Sequence, residues 1–265
     1  MAAEHTSTIQ GAKGSIKFSA WEPRHSGWFE ADYTGGPTHF KLYDLPGRNN
    51  SAEGGWVFYA TADDVSPGGK YLMLQRVEFA TVINDEGQKE NAEQAYCDAV
   101  DLDTGCVVYS DSIQQCEGSW QQGKWHSEVS GEIDFSHWLR APGALADYAK
   151  SLAPEARTNA ISRSLLMGVD SYTACYPVSK ANVASYNDLG FYMAQGGEHA
   201  AAMAVYEKLM PFAPERAPLK LNAADSLWAL GKKIEALKYY RDYRETMAIK
   251  GQLNRVPARV NERLQ

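Results

Sequence analysis

The stretch Tyr186-Asn187-Asp188-Leu189-Gly190, followed by Gly197, Ala202, Tyr206 and Pro214, decides how the C-terminal part of the chain is read. One period of 34 residues later, Gly197 recurs as Gly231, Ala202 as Ala236 and Tyr206 as Tyr240. That period suits a helical hairpin stacked on copies of itself, because one hairpin cannot bury its apolar face alone. Tyr186, Leu189, Gly190 and Met193 fall three and four residues apart, along one face of a first helix. Gly196-Gly197 ends that helix, since glycine adopts turn geometry that other residues resist. Ala202, Tyr206 and Leu209 line a second helix, and Pro214 cannot continue its ladder. The two units span 183–214 and 217–249.

Outward from the repeat, the helical period continues on both sides. Ala144 to Leu152 and Ala156 to Met167 carry apolar residues at helical spacing, with Pro154 at a helix start. These helices are expected to cap one end of the pair of units. Ser171 to Ser179 reads as an irregular connector that includes Cys175. The tail around Pro257 to Leu264 reads as a helix capping the other end, with Arg255, Arg259 and Arg263 in water.

The first 135 residues have a different character. They hold 15 of the 22 glycines, which punctuate short runs rich in aromatic and β-branched residues. Ile16 to Trp21, Trp28 to Tyr33 and His39 to Tyr43 alternate; Trp56 to Ala60 is more continuously apolar; Ser66-Pro67-Gly68-Gly69-Lys70 is a turn feeding the run Tyr71 to Ile83. Tyr96 to Tyr109 is the clearest hairpin, turning at Asp103-Thr104-Gly105. The expected fold class is therefore α+β: a mainly antiparallel β domain over 1–135 and an all-α domain over 136–265.

Four cysteines, Cys97, Cys106, Cys116 and Cys175, allow three pairings. Their spacing lacks the close pairs of a zinc site, and disulfides, reduced structural thiols and metal ligation are the three readings, in that order. The hairpin register sets Cys97 opposite roughly Asp111, so a Cys97–Cys106 bond would strain the ladder. Cys97 with Cys116, leaving Cys106 with Cys175 to tie the sheet to the helical half, is the more reachable set. Net charge is −7. It is unevenly spread, with an acidic front and a basic tail after Glu215. An acidic front disfavours nucleic acid and favours a basic partner. No apolar run is long enough to span a membrane, and the N-terminus lacks the regions of a signal peptide. The chain is expected to be a mature periplasmic protein, with the cytoplasm as the alternative.

The order of aromatic, small and proline residues in the two units resembles the tetratricopeptide repeat family. Ala223-Ala224 departs from it, standing where Leu-Gly is usual. The resemblance implies a groove lined by the first helix of each unit: Asn187, Phe191 and Gln195, then Asn222, Asp225 and Trp228. It also implies that the groove binds a protein or peptide. Trp228 is either an anchor for that partner or packs against the β domain of the same chain. No lysine or arginine joins Asn187 and Asn222, which argues against a receptor for C-terminal carboxylates.

No nucleophile elbow, phosphate loop or metalloprotease helix is present. His126 and His137, beside Trp125 and Trp138 with Glu128 and Glu132 between them, form a conceivable acid–base cluster, although their spacing matches no metal motif and strand-edge histidines beside tryptophans are more often packing or surface residues. No catalytic residue, metal or cofactor is assigned. The leading expectation is a non-enzymatic binding protein, most concretely a bacterial immunity protein that occludes a basic secreted toxin or enzyme. The alternatives are a periplasmic scaffold or assembly factor binding a peptide in the groove, and a hydrolase with its site in the β domain.

Overall fold

The computed structural model describes residues 5–46, 54–136 and 138–265. Among these, the strands are β1 (Ser7–Gln10), β2 (Gly14–Glu22), β3 (Gly27–Gly35), β4 (Thr38–Lys41), β5 (Gly54–Tyr59), β6 (Tyr71–Ile83), β7 (Lys89–Asp101), β8 (Cys106–Ser112), β9 (Gly118–Gln121), β10 (Lys124–Ser127) and β11 (Gly131–Glu132). The helices are α1 (Pro142–Ser151), α2 (Pro154–Ser164), α3 (Val169–Cys175), α4 (Val183–Gln195), α5 (His199–Leu209), α6 (Ala217–Ala229), α7 (Lys233–Ile249) and α8 (Ala258–Arg263). The class is α+β, an antiparallel sheet followed by helices. The chain divides into two compact units, and they are not collinear with it: residues 1–139 and 166–175 form one, residues 140–165 and 176–265 the other.

In the first unit, strands that neighbour each other in sequence mostly pair, in the order β1-β2-β3-β5-β6-β7-β8, with β4 on β3. Alternation explains the two faces. Leu72, Val100 and Val107 stand in register on one face; Met73, Ala99 and Tyr109 stand in register on the other. Trp56, Val57 and Phe58 of the central strand β5 are all buried, as their unbroken apolar run requires. The Met73 face packs with Cys97 and Trp125 beneath the small sheet β9–β10–β11, where Trp120 and Phe135 complete the cluster.

The opposite face is covered near the β7–β8 turn by α3, which the sequence suggested was an irregular connector. Ser171 explains the docking: its Oγ donates to the Gly105 carbonyl at 2.8 Å and accepts from the Val107 N–H at 3.0 Å. Gly105, at φ +78°, lets the turn close under the aromatic rings, since a Cβ there would sit 2.5 Å from Phe40 and 2.6 Å from Tyr33. Two disulfides are present, Cys97–Cys116 and Cys106–Cys175, with Cα separations of 5.3 and 4.9 Å. The register places Cys97 opposite Asp111, the position read from the hairpin. Cys175 lies on α3, so its bond ties the sheet to a helix of the same unit, not to the helical half.

The second unit is built from antiparallel hairpins. α4 pairs with α5 and α6 with α7, α5 packs on α6, and α1 and α2 pack on α4. The recurring glycines close equivalent turns. Gly197 and Gly231 sit at φ +89° and +76°, and the next N–H reaches back to Met193 and to Leu227, each at 3.0 Å. Gly190 makes room for the partner helix: a Cβ there would lie 2.5 Å from the Tyr206 ring, which is wholly buried. Thr158 of α2 donates to the Tyr192 carbonyl of α4 at 3.0 Å, closing one end of the stack. α8 closes the other. Arg255 and Arg259 are exposed, as expected, and Arg263 is half-buried; Arg259 and Arg263 both grip Asp225, at 2.6 and 2.9 Å.

Candidate interaction surface

The strands β6 and β7 pair along all thirteen residues of each, from Tyr71 opposite Asp101 to Ile83 opposite Lys89. Their neighbours stop sooner. β8 leaves β7 at Ser112 opposite Tyr96, and among the described residues β5 pairs with β6 no further than Gly54 opposite Ala80. Among the described residues, the ribbon beyond those points is two-stranded, reaching roughly 20 Å past the end of β8 at the usual rise per residue. Its turn is built by Asn84, whose Oδ1 accepts from the N–H groups of Glu86 and Gln88 at 3.1 and 2.9 Å. Glu90 to Gln94 are exposed, and Ile83 is 71% exposed. Four carboxylates, Asp85, Glu86, Glu90 and Glu93, stand on this arm against one lysine, Lys89.

The root of the arm is aromatic. His25, in the β2–β3 turn, stacks on Phe79 with ring centres 4.5 Å apart, and its Nε2 lies 3.5 Å from Glu93. The Tyr59 hydroxyl donates to the His25 carbonyl at 2.6 Å and holds the turn down. At the same turn Trp21, 41% exposed, meets Trp28 edge-on at 4.8 Å. Ala20 and Ser26 flank this turn at φ +56° and +52°, a conformation that side chains with a Cβ rarely adopt. Gly55, Trp56, Glu78, Phe79, Ala80, Ala92, Glu93, Gln94 and Leu166 line a cleft of about 560 Å³ at the root of the arm.

Behind Glu78 lies a buried charge network. Arg76 is 1% exposed, lies between the rings of Tyr43 and Tyr96 at 4.8 and 4.4 Å, and donates from Nε to Asp98 Oδ2 at 2.7 Å. Its Nη1 bonds Glu78, and the Tyr43 hydroxyl donates to the same Asp98 oxygen. Burial, and then the charge of Asp98, push the Tyr43 phenol well above its ordinary value, with Arg76 opposing them. Burial works against the Arg76 charge, yet Asp98, Tyr43 and Glu78 outweigh it and the guanidinium stays ionised. The network therefore fixes the Glu78 carboxylate at the wall of the cleft.

The residues expected to line a helical groove take divergent roles. Asn187 is buried and accepts from Asn222 Nδ2 at 3.3 Å. Phe191 and Gln195 are exposed on α4. Asp225 accepts from Tyr240, Arg259 and Arg263. Trp228 is half-buried, with the Arg263 guanidinium 4.8 Å from its ring centre and Tyr240 at 6.3 Å. Asp225 and Trp228 thus serve the attachment of α8, and the tryptophan packs within its own unit. His126 lies 3.9 Å from Glu132 across β10–β11, while His137 lies outside the described residues. Among the described residues, no group of three His, Cys, Asp or Glu is placed to hold a metal, and no helix is long and apolar enough to cross a membrane. Two disulfides are consistent with a secreted or periplasmic protein.

The arm was not singled out by sequence reading. Its signal was the acidic run from Asp85 to Glu93 directly after a long apolar strand. Compared with known families and with curated proteins, the sequence matches no family model and no curated protein.

Proposed function

We propose that this chain is a non-enzymatic inhibitor of a basic protein, a bacterial immunity-type protein that acts in the periplasm by covering the cleft of a secreted toxin or enzyme. The observation that carries this reading is the acidic two-stranded arm, with aromatic rings at its root and charge at its tip. Protein interfaces concentrate their energy in buried aromatic anchors, and opposite charge around them speeds encounter and selects the partner. The helical unit, tetratricopeptide-like in this reading, would offer a docking surface of its own. Blocking needs no chemistry, only a shape and a sign.

The test is inhibition, not capture alone. A basic enzyme retained from the native periplasm should lose activity at one equivalent of this protein. Replacing Asp85, Glu86, Glu90 and Glu93 together by lysine should weaken that inhibition at least about a hundredfold at low salt. A retained partner whose activity is untouched overturns the reading. A second reading, a scaffold that binds a peptide along α4, rests on Phe191, 40% exposed near the Asn187–Asn222 pair. It would be favoured if Phe191→Ala, and not the arm substitutions, abolished binding.

A further inference from the structure

We propose that the outer edge of β7, from Glu90 to Ala95, takes up an extended basic segment of the partner as an added strand; this rests on the inhibitor reading above and specifies how its arm is used.

Three observations carry it. First, the edge is open. β8 covers β7 only from Tyr96 to Asp101, so among the described residues the backbone from Glu90 to Ala95 is laddered on one side, to β6. Open edges invite a further strand, and proteins usually blunt them with edge charges, proline, a bulge or brevity; the charges from Glu90 to Ala95 are carboxylates, which repel an acidic strand and not a basic one. Here there is no proline, the one irregularity of β7 lies at Ala99/Val100, and the strand runs thirteen residues. The opposite edge of the sheet, β1, has only four residues.

Second, the edge is acidic on both faces. Glu90 shares a face with Ala92, Gln94 and the cross-strand Glu78; Glu93 shares the other with Asn91 and Phe79. A basic strand laid alongside would set cations against carboxylates on each face. A second copy of this chain would set Glu90 and Glu93 against their own kind, which cross-strand pairing penalises. Charge therefore selects a cationic polypeptide over self-association.

Third, the cleft receives side chains from that direction. Ala92 and Gln94 belong both to the open edge and to the lining of the roughly 560 Å³ cleft, with Trp56, Ala80 and Leu166. Alternate side chains of an added strand fall on that face, so the segment should carry an apolar or aliphatic-stemmed residue there, with its cation near Glu78 or Glu90.

The probe is a short synthetic peptide of alternating lysine and valine, added to the oxidised full-length protein and followed by hydrogen exchange. At saturation, alternate amides between Glu90 and Ala95 should slow by about tenfold or more, while those of β1 do not change. The same peptide N-methylated along one edge keeps its charge and loses its ladder, so it should bind at least about tenfold more weakly. Glu90→Arg with Glu93→Arg should remove the protection. Equal binding of the N-methylated peptide, or binding without slowed edge amides, would overturn strand addition and leave a purely electrostatic contact. If neither peptide binds while a basic enzyme is still inhibited through the arm, strand addition fails alone. If the edge takes the peptide but no enzyme is inhibited, the inhibitor reading fails and strand addition stands.

Discussion

Arg76 and Asp98 show how far one pair of charges can be pushed into a sheet. Both are fully enclosed, and the second oxygen of Asp98, Oδ1, has no hydrogen-bond partner. Removing one member leaves the other charged and dry, which typically costs about 3–5 kcal/mol. Asp98→Asn should therefore lower stability to urea by about that amount, and Arg76→Met combined with Asp98→Leu should restore at least half of the loss. If the single substitution proves neutral, the pair is not the internal clamp described. The tyrosines bordering the pair are part of its logic: Tyr43 supplies a second donor to Asp98, and the rings of Tyr43 and Tyr96 sandwich the guanidinium.

At the scale of elements, α8 is a six-residue helix held to α6 and α7 by Asp225. Burial alone would raise the Asp225 carboxyl; hydrogen bonds from Arg259 and Tyr240, with the charges of Arg259 and Arg263, overcome this and hold it below its ordinary value. A depressed carboxyl contributes stability that is present above its unfolded value, about 3.9, and fades as pH falls through the folded value. α8 should therefore loosen below about pH 4. Asp225→Asn should loosen it at neutral pH for about 1–2 kcal/mol, allowing for solvent screening. Faster exchange at residues 258–264, with α4 unaffected, would show it.

This attachment also marks where sequence reading stopped. The 34-residue spacing located both helical hairpins and their glycine turns because those features are local. It assigns Asp225 and Trp228 to the groove wall, with packing inside the chain left open for Trp228, because the residues that meet them lie 34 to 38 residues downstream, in a helix too short to show an apolar stripe. α3 was missed for a related reason: Val169 to Cys175 is about two packed turns followed by Pro177, and only Ser171 and Cys175 reveal its docking. The arm was invisible as an arm because the open edge of β7 depends on where β8 ends, which no property of residues 81–95 encodes.

Across the whole molecule, both disulfides fall within the β unit. By loop closure, the bond spanning 69 residues should contribute about 4 kcal/mol and the one spanning 19 about 3 kcal/mol. Cys106→Ser with Cys175→Ser should thus lower the unfolding midpoint further than Cys97→Ser with Cys116→Ser, read from the fluorescence of buried Trp125. Four reactive thiols in the denatured native protein would contradict an oxidising home altogether.

The path of the chain gives these bonds an order in time. Polypeptides leave a ribosome or an export channel N-terminus first, so Cys97 and Cys116 emerge close together and can meet at once. Cys106 must wait for Cys175, and α1 and α2, which belong to the other unit, are made in the interval. Throughout that delay Cys106 is a thiol without its mate, beside a Cys97–Cys116 bond that its thiolate can attack. A chain halted before residue 175 would be stranded there, prone to scrambling and dependent on a disulfide isomerase to release the wrong bond.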